Sequence, residues 1–176
     1  MLPNFNSQTV VVTSQEYNKA KDMVRNQAKA KDEYDRRMVG ALGEIGFAGL
    51  YNLPVNIGYM GKPPRSDFIF NGCSLDVKTS SKIWGNGQLF VDGKLNRDTV
   101  DRTTGLDSDI YVLSVLCEKS DEHQTATVNF LGWVTKRVLS TCETKKTSSN
   151  IRYSLNWTKL NSMKDLPEFI LQNGSV

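Results

Sequence analysis

Asp67, Asp76 and Lys78 lie within one short stretch, Ser66-Asp-Phe-Ile-Phe-Asn-Gly-Cys-Ser-Leu-Asp-Val-Lys78, in which Asn71-Gly72 separates two runs of aromatic, aliphatic and β-branched residues. Asn-Gly between such runs is the strongest short-range signal for a β-hairpin. A two-residue turn at Asn71-Gly72 pairs Phe70 with Cys73 and Ile69 with Ser74, and carries Asp67 opposite Asp76. Directly opposed carboxylates would hold their Cβ atoms about 5 Å apart and repel each other. Strand alternation sets Lys78 on the face of Asp76, with Leu75 and Val77 on the other. Such an arrangement opposes stability unless a divalent cation lies between the carboxylates. Mg²⁺, commonly held by one or two carboxylates together with waters and phosphate oxygens, is the expected cofactor, with Mn²⁺ as a substitute.

A second acidic residue type stands out upstream. Tyr34 to Tyr51 has helical composition and should close at Asn52-Leu53-Pro54, because a residue before proline resists helical geometry. Its heart, Gly40 to Leu50, carries glycines at 40, 43, 46 and 49 and a single charge, Glu44. Each glycine costs about 1 kcal/mol against alanine in a helix, so a ridge of bare backbone implies close packing of this helix on a sheet. The helical neighbours of Glu44 at three and four residues are Gly40, Ala41, Phe47 and Ala48, none able to pair with it. Its carboxylate must find a partner off the helix or have its pKa raised. Lys62 and Arg65 precede the hairpin and Lys82 follows it, and these are the candidate phosphate contacts.

With 176 residues the chain fits a single compact domain, an N-terminal arm and helix (1–33) leading into the main body (34–176). A net charge of +3 permits a polyanionic partner without requiring one. No apolar run is long enough to span a bilayer, and the beginning of the chain lacks a signal pattern. Three dispersed cysteines, Cys73, Cys117 and Cys142, argue against a zinc site or disulfide framework and for a reducing cytosol. His123 is the only histidine, which argues against Ser-His-Asp or Cys-His chemistry and against a histidine base.

Other elements follow from pattern. Thr9 to Thr13 is an arm or edge strand, Ser14 is the expected N-cap of a polar helix reaching about Asp35, and its mixed charges form a solvated or a phosphate-contacting face. Strands are expected near Gln88–Val91, over Ile110–Leu116 (apolar on both faces, hence central), over Ala126–Leu131 with Gly132-Trp133 at its end, and over Ile151–Leu155. Thr135 should cap a short helix to Leu139, Cys142 to Asn150 should be a polar loop, and a short helix should lie near Asp165–Leu171.

The succession of a helix with Gly43-Glu44-Ile45-Gly46, then Ser66-Asp67, then Asp76-Val77-Lys78 with a hairpin between them, resembles the PD-(D/E)XK nuclease superfamily. It is similar in particular to small nucleases found in phage genomes, where a Gly-x-x-Gly-Glu helix precedes the hairpin and a Gly-Trp strand end follows. The likeness covers roughly residues 34–135; Pro64 is separated from Asp67 by Arg65 and Ser66, where the family's proline abuts its aspartate. It implies an α/β (α+β), restriction-endonuclease-like fold, a central mixed β-sheet flanked by helices. It also implies a metal held by Asp67 and Asp76 and completed by Glu44, with Lys78 orienting or helping to deprotonate the attacking water. Gln88 stands where some subfamilies carry a glutamine. The expected activity is metal-dependent hydrolysis of DNA phosphodiesters by an endonuclease, in the site-specific homing or restriction manner, acting as a dimer. The alternatives are a junction nuclease or exonuclease of the same fold, and a noncatalytic DNA-binding module.

Overall fold

The computed structural model describes residues 7–25, 30–55, 66–82, 87–95 and 104–174. The chain opens with β1 (Gln8–Val12), α1 (Ser14–Arg25) and α2 (Lys31–Tyr51), followed by β2 (Phe68–Phe70) and β3 (Cys73–Ser80). Next come β4 (Gln88–Lys94), β5 (Ile110–Ser120), β6 (Thr125–Thr135), α3 (Lys136–Leu139), β7 (Glu143–Lys146), β8 (Asn150–Asn156) and α4 (Leu166–Asn173). Five strands form a mixed sheet in the order β1-β6-β5-β3-β2, and three form an antiparallel sheet in the order β4-β8-β7. In the large sheet only the β3–β5 pair is parallel. The result is a mixed α/β architecture with a central mixed sheet and flanking helices.

The hairpin forms where its turn residues dictate. Asn71 and Gly72 both have positive φ (47° and 84°), as a type I′ turn demands, and the register is Phe70 with Cys73, Ile69 with Ser74 and Phe68 with Leu75. Beyond the turn, Leu75 and Val77 are buried while Asp76 and Lys78 lie at half-exposed positions, the alternation expected of a strand with one face on a core. β5 is central, between β6 and β3, and its two faces feed two cores. Ile110 and Val112 join a cluster with Leu42, Ile45 and Phe47 of α2, Phe130 of β6 and Ile170 of α4. Tyr111 and Leu113 join the other, with Leu89 and Val91 of β4 and Tyr153 and Leu155 of β8.

Helix α2 packs on the large sheet through the glycines that would weaken it in isolation. A Cβ at Gly43 would stand 1.7 Å from Thr79 Oγ1 of β3, and one at Gly46 would touch the Phe130 ring at 3.4 Å. Gly40 and Gly49 do not share that contact: nothing lies within 4 Å of a Cβ at Gly40, and only Glu16 Oε1, at 3.5 Å, approaches one at Gly49. The close-packed ridge is therefore two glycines long.

Several boundaries differ from expectation for local reasons. The first helix is capped by Thr13 rather than Ser14: Glu16 Oε2 accepts from the Thr13 N–H at 2.8 Å and the Glu16 N–H reaches Thr13 Oγ1 at 3.4 Å, a capping box one residue earlier. Ser14 Oγ donates instead to the His123 carbonyl, at 3.0 Å. The second helix begins at Lys31, three residues before Tyr34, and ends at Tyr51 with Asn52 in the left-handed conformation. Gly132-Trp133 does not end β6, which continues to Thr135, because a bulge re-registers the β5–β6 ladder at Leu131. The 142–150 stretch expected as a loop contains β7, whose exposed polar residues are held by pairing with β8 and carry no apolar alternation to reveal them.

The two glycine environments predict opposite outcomes. Gly43→Ala should destabilise the protein by about 1–3 kcal/mol, since its methyl displaces Thr79. Gly40→Ala should stabilise it by about 0.5–1 kcal/mol through helix propensity alone. Urea unfolding followed by circular dichroism reads both, and equal effects would contradict the packing described.

Candidate active site

Strand β2 is short, and its brevity makes the site. The β2–β3 ladder stops at Phe68, so the outer edge of β3 past Leu75 has no strand partner among the described residues. Asp67 covers that edge. Its N–H donates to the Leu75 carbonyl at 2.9 Å and its Oδ2 accepts from the Val77 N–H at 2.7 Å. The carboxylate thus takes the hydrogen bond that another strand residue would have made. Asp76 follows on β3, and the two carboxyls line one cleft, close enough for the Asp76 charge to disfavour ionisation of Asp67. The two acids meet, through a side chain folded onto the strand edge rather than through a further rung of the ladder.

Lys78, two residues along the same strand face, places Nζ 2.7 Å from Asp76 Oδ1. Helix α2 adds Glu44, next to the Gly43 that lets the helix approach Thr79. All four side chains line one cleft of about 400 Å³, walled on its far side by β4. Lys82 lines it too, as do Gln88 of β4 and Arg36 of α2. Lys62 and Arg65 lie outside the described residues.

Electrostatics in the cleft follow from three carboxyls around one ammonium. Burial, then repulsion from Asp76 and Glu44, pushes Asp67 up to about 9 despite the opposing pull of Lys78. Burial and Asp76 raise Glu44 to about 7, again against Lys78. Burial would lower Lys78, but Asp76 and Asp67 outweigh it and hold the ammonium above its ordinary range. The cluster therefore retains a proton on Asp67 at neutral pH, with Glu44 near its midpoint. Perturbed carboxyls in a cleft are a frequent mark of active sites, although structural networks produce them as well.

Asp67 and Asp76 are the pair that could hold a cation, with Glu44 beside them. Among the described residues no group of three or more His, Cys, Asp or Glu converges as a ready-made cage. The donor chemistry suits a hard cation that accepts one or two carboxylates and fills its remaining positions with water. His123 sits exposed in the β5–β6 turn, away from the cleft lining, and Cys73, Cys117 and Cys142 are all free thiols.

Sequence reasoning missed the far wall: Phe90 and Asp92 of β4 and Arg36 of α2. Alternation in Gln88-Leu89-Phe90-Val91-Asp92 does mark Gln88, Phe90 and Asp92 as one face. Nothing local says that this face lies across from Asp76. Comparison of the chain with protein-family models, curated proteins and solved structures finds no match.

The raised carboxyls give a pH prediction. Asp67 and Glu44 hold protons in the folded chain that the unfolded chain releases near pH 4, so the stability they favour is complete in acid and is lost as pH rises through about 7 and 9. Asp67→Asn removes the larger shift while keeping an oxygen for the Val77 N–H. In EDTA at pH 8.5 it should raise Tm by about 2–4 °C for each kcal/mol recovered, with little change at pH 4. Equal Tm differences at the two pH values would count against the clustered carboxyls.

Proposed function

We propose that this protein is a metal-dependent deoxyribonuclease, an endonuclease that hydrolyses phosphodiester bonds, with a restriction-endonuclease-like core. The observation that carries the reading is the meeting of Asp67 with Asp76 at the open edge of β3, with Lys78 and Glu44 in the same cleft. A protein gains nothing in stability from repelling carboxyls of which Asp67 must stay protonated. It gains a binding site if a divalent cation displaces that proton.

In this reading Asp67 and Asp76 hold Mg²⁺ or Mn²⁺, and Glu44 completes or tunes the site from α2. When bound, the metal supplies a Lewis acid that polarises the phosphodiester and acidifies a water. Lys78, kept charged by Asp76, presents an ammonium to the negative charge that develops on the phosphate and helps to orient the attacking water. Glu44 titrates near neutrality and can hold or release a proton beside that water. Lys82 and Arg36 supply cations for the flanking phosphates. One site per chain cuts one strand at a time, so cleavage of both strands of a duplex would take a symmetric dimer.

Supercoiled and linear DNA should be cut with Mg²⁺ or Mn²⁺ and left intact with EDTA. Asp76→Ala should lower the rate by about a hundredfold or more. Discrete fragments would identify a site-specific enzyme. If wild type and Asp76→Ala bind DNA equally and neither cuts linear, supercoiled or branched substrates, the protein is a binding module instead.

A further inference from the structure

Helix α2 carries four glycines, and packing accounts for two of them. Gly43 lies against Thr79 and Gly46 against Phe130, where a Cβ would stand 1.7 and 3.4 Å away. Gly40 and Gly49 have no such reason among the described residues: a Cβ meets nothing within 4 Å at the first, and only Glu16 Oε1, at 3.5 Å, at the second. Each still costs the helix about 1 kcal/mol relative to alanine. The two differ in what lies outside them. Gly40 lines the cleft of the acidic cluster, whereas Gly49 is exposed and lies outside that lining.

Helix geometry fixes where Gly40 stands. It lies one turn, ~6 Å along the axis, before Glu44 and the same distance after Arg36, on one helix face. All three line the cleft. Helical side chains lean toward the N-terminus, so a side chain at position 40 would cover the turn between 36 and 40 and not Glu44. Arg36 leans the same way, its Nε donating to the Asp32 carbonyl at 3.4 Å, and leaves that turn uncovered. The cleft wall therefore carries a stretch of bare backbone between a guanidinium and the Glu44 carboxyl. Glycine is the residue for places where a ligand must come close to backbone. A local choice that opposes helix stability without a packing return marks a functional position.

We propose that Gly40 is the notch in α2 over which the sugar–phosphate backbone of the substrate strand passes to reach the acidic cluster, so that the cleft admits a nucleic-acid strand only while position 40 carries no side chain. This rests on the nuclease reading of the same cleft and adds the path of the strand.

The test sets Gly40→Leu against Gly49→Leu, two helix substitutions with free space around them, one inside the cleft and one outside. Both should raise Tm by about 2–4 °C in circular dichroism melts, because leucine is the better helix former and neither displaces a neighbour. Fluorescence anisotropy, in EDTA and again with Ca²⁺, uses labelled oligothymidine of about 20 nucleotides, longer than common single-strand site sizes, and a blunt duplex of equal length. Gly40→Leu weakens binding of the probe that wild type holds by about tenfold or more, the cost of overfilling a contact by a few atoms. Gly40→Ala weakens it less, and Gly49→Leu leaves it unchanged. Undiminished binding by Gly40→Leu, equal losses in Gly40→Leu and Gly49→Leu, or a Gly40→Leu protein that melts below wild type refutes the notch. Cleavage with Mn²⁺ then separates the two claims. Metal-dependent cutting that Gly40→Leu does not slow refutes the notch and leaves the nuclease. Binding that Gly40→Leu alone loses, in a wild type that never cuts, keeps the strand path and refutes the nuclease. A wild type that binds neither probe refutes both.

Discussion

One hydrogen bond organises the site: the Asp67 carboxylate accepting the Val77 N–H at 2.7 Å on an edge of β3 that β2 is too short to cover. A buried backbone donor needs an acceptor. Had β2 run two residues further, a carbonyl would have filled that role and Asp67 would have been an ordinary strand residue. Because the strand begins only at Phe68, a carboxyl is drawn onto the edge and brought toward Asp76. Everything else in the cleft follows from having two acids there. Lys78 is held at 2.7 Å from Asp76, and Glu44 is caught in the same field from α2. The close approach of that helix in turn needs a glycine opposite Thr79.

The cluster opposes the folded state as an isolated set of charges. Two carboxyls carry raised pKa values because burial and the charge of Asp76 disfavour their ionisation, and a single ammonium does not offset three acids. Natural proteins retain such local conflicts mainly where function needs them, with the remaining structure supplying the stability. Here that stability comes from two apolar cores on the two faces of β5. The cleft lies where the β3 edge, α2 and the small sheet come together.

Local signals made the hairpin and its register legible, because Asn71-Gly72 tolerates two successive positive φ values and strand alternation does the rest. Glu44 could be singled out because no helical neighbour could pair with it, and the apolar run at Ile110–Leu116 announced a strand buried on both faces. The manner in which Asp67 meets Asp76 was not legible, since it depends on where a ladder stops. Nor was the far wall of the cleft. β4 joins β8, more than fifty residues later in the chain, and pattern alone cannot choose that partner. β7 escaped because its four residues, Glu143 to Lys146, are polar and exposed. The N-cap fell one residue from its expected place because Thr13 and Ser14 are both good caps and only Thr13 stands three residues before Glu16.

The central claim is that the Asp67–Asp76 site exchanges the proton held by Asp67 for a divalent cation. Isothermal titration of the protein with Mn²⁺ at pH 7.5, in buffers of different ionisation enthalpy, measures both binding and proton release. The account predicts binding accompanied by release of about one proton per metal, with binding weakened and proton release reduced in Asp67→Asn. Absence of binding at millimolar Mn²⁺, or binding with the same proton count in both proteins, would contradict it.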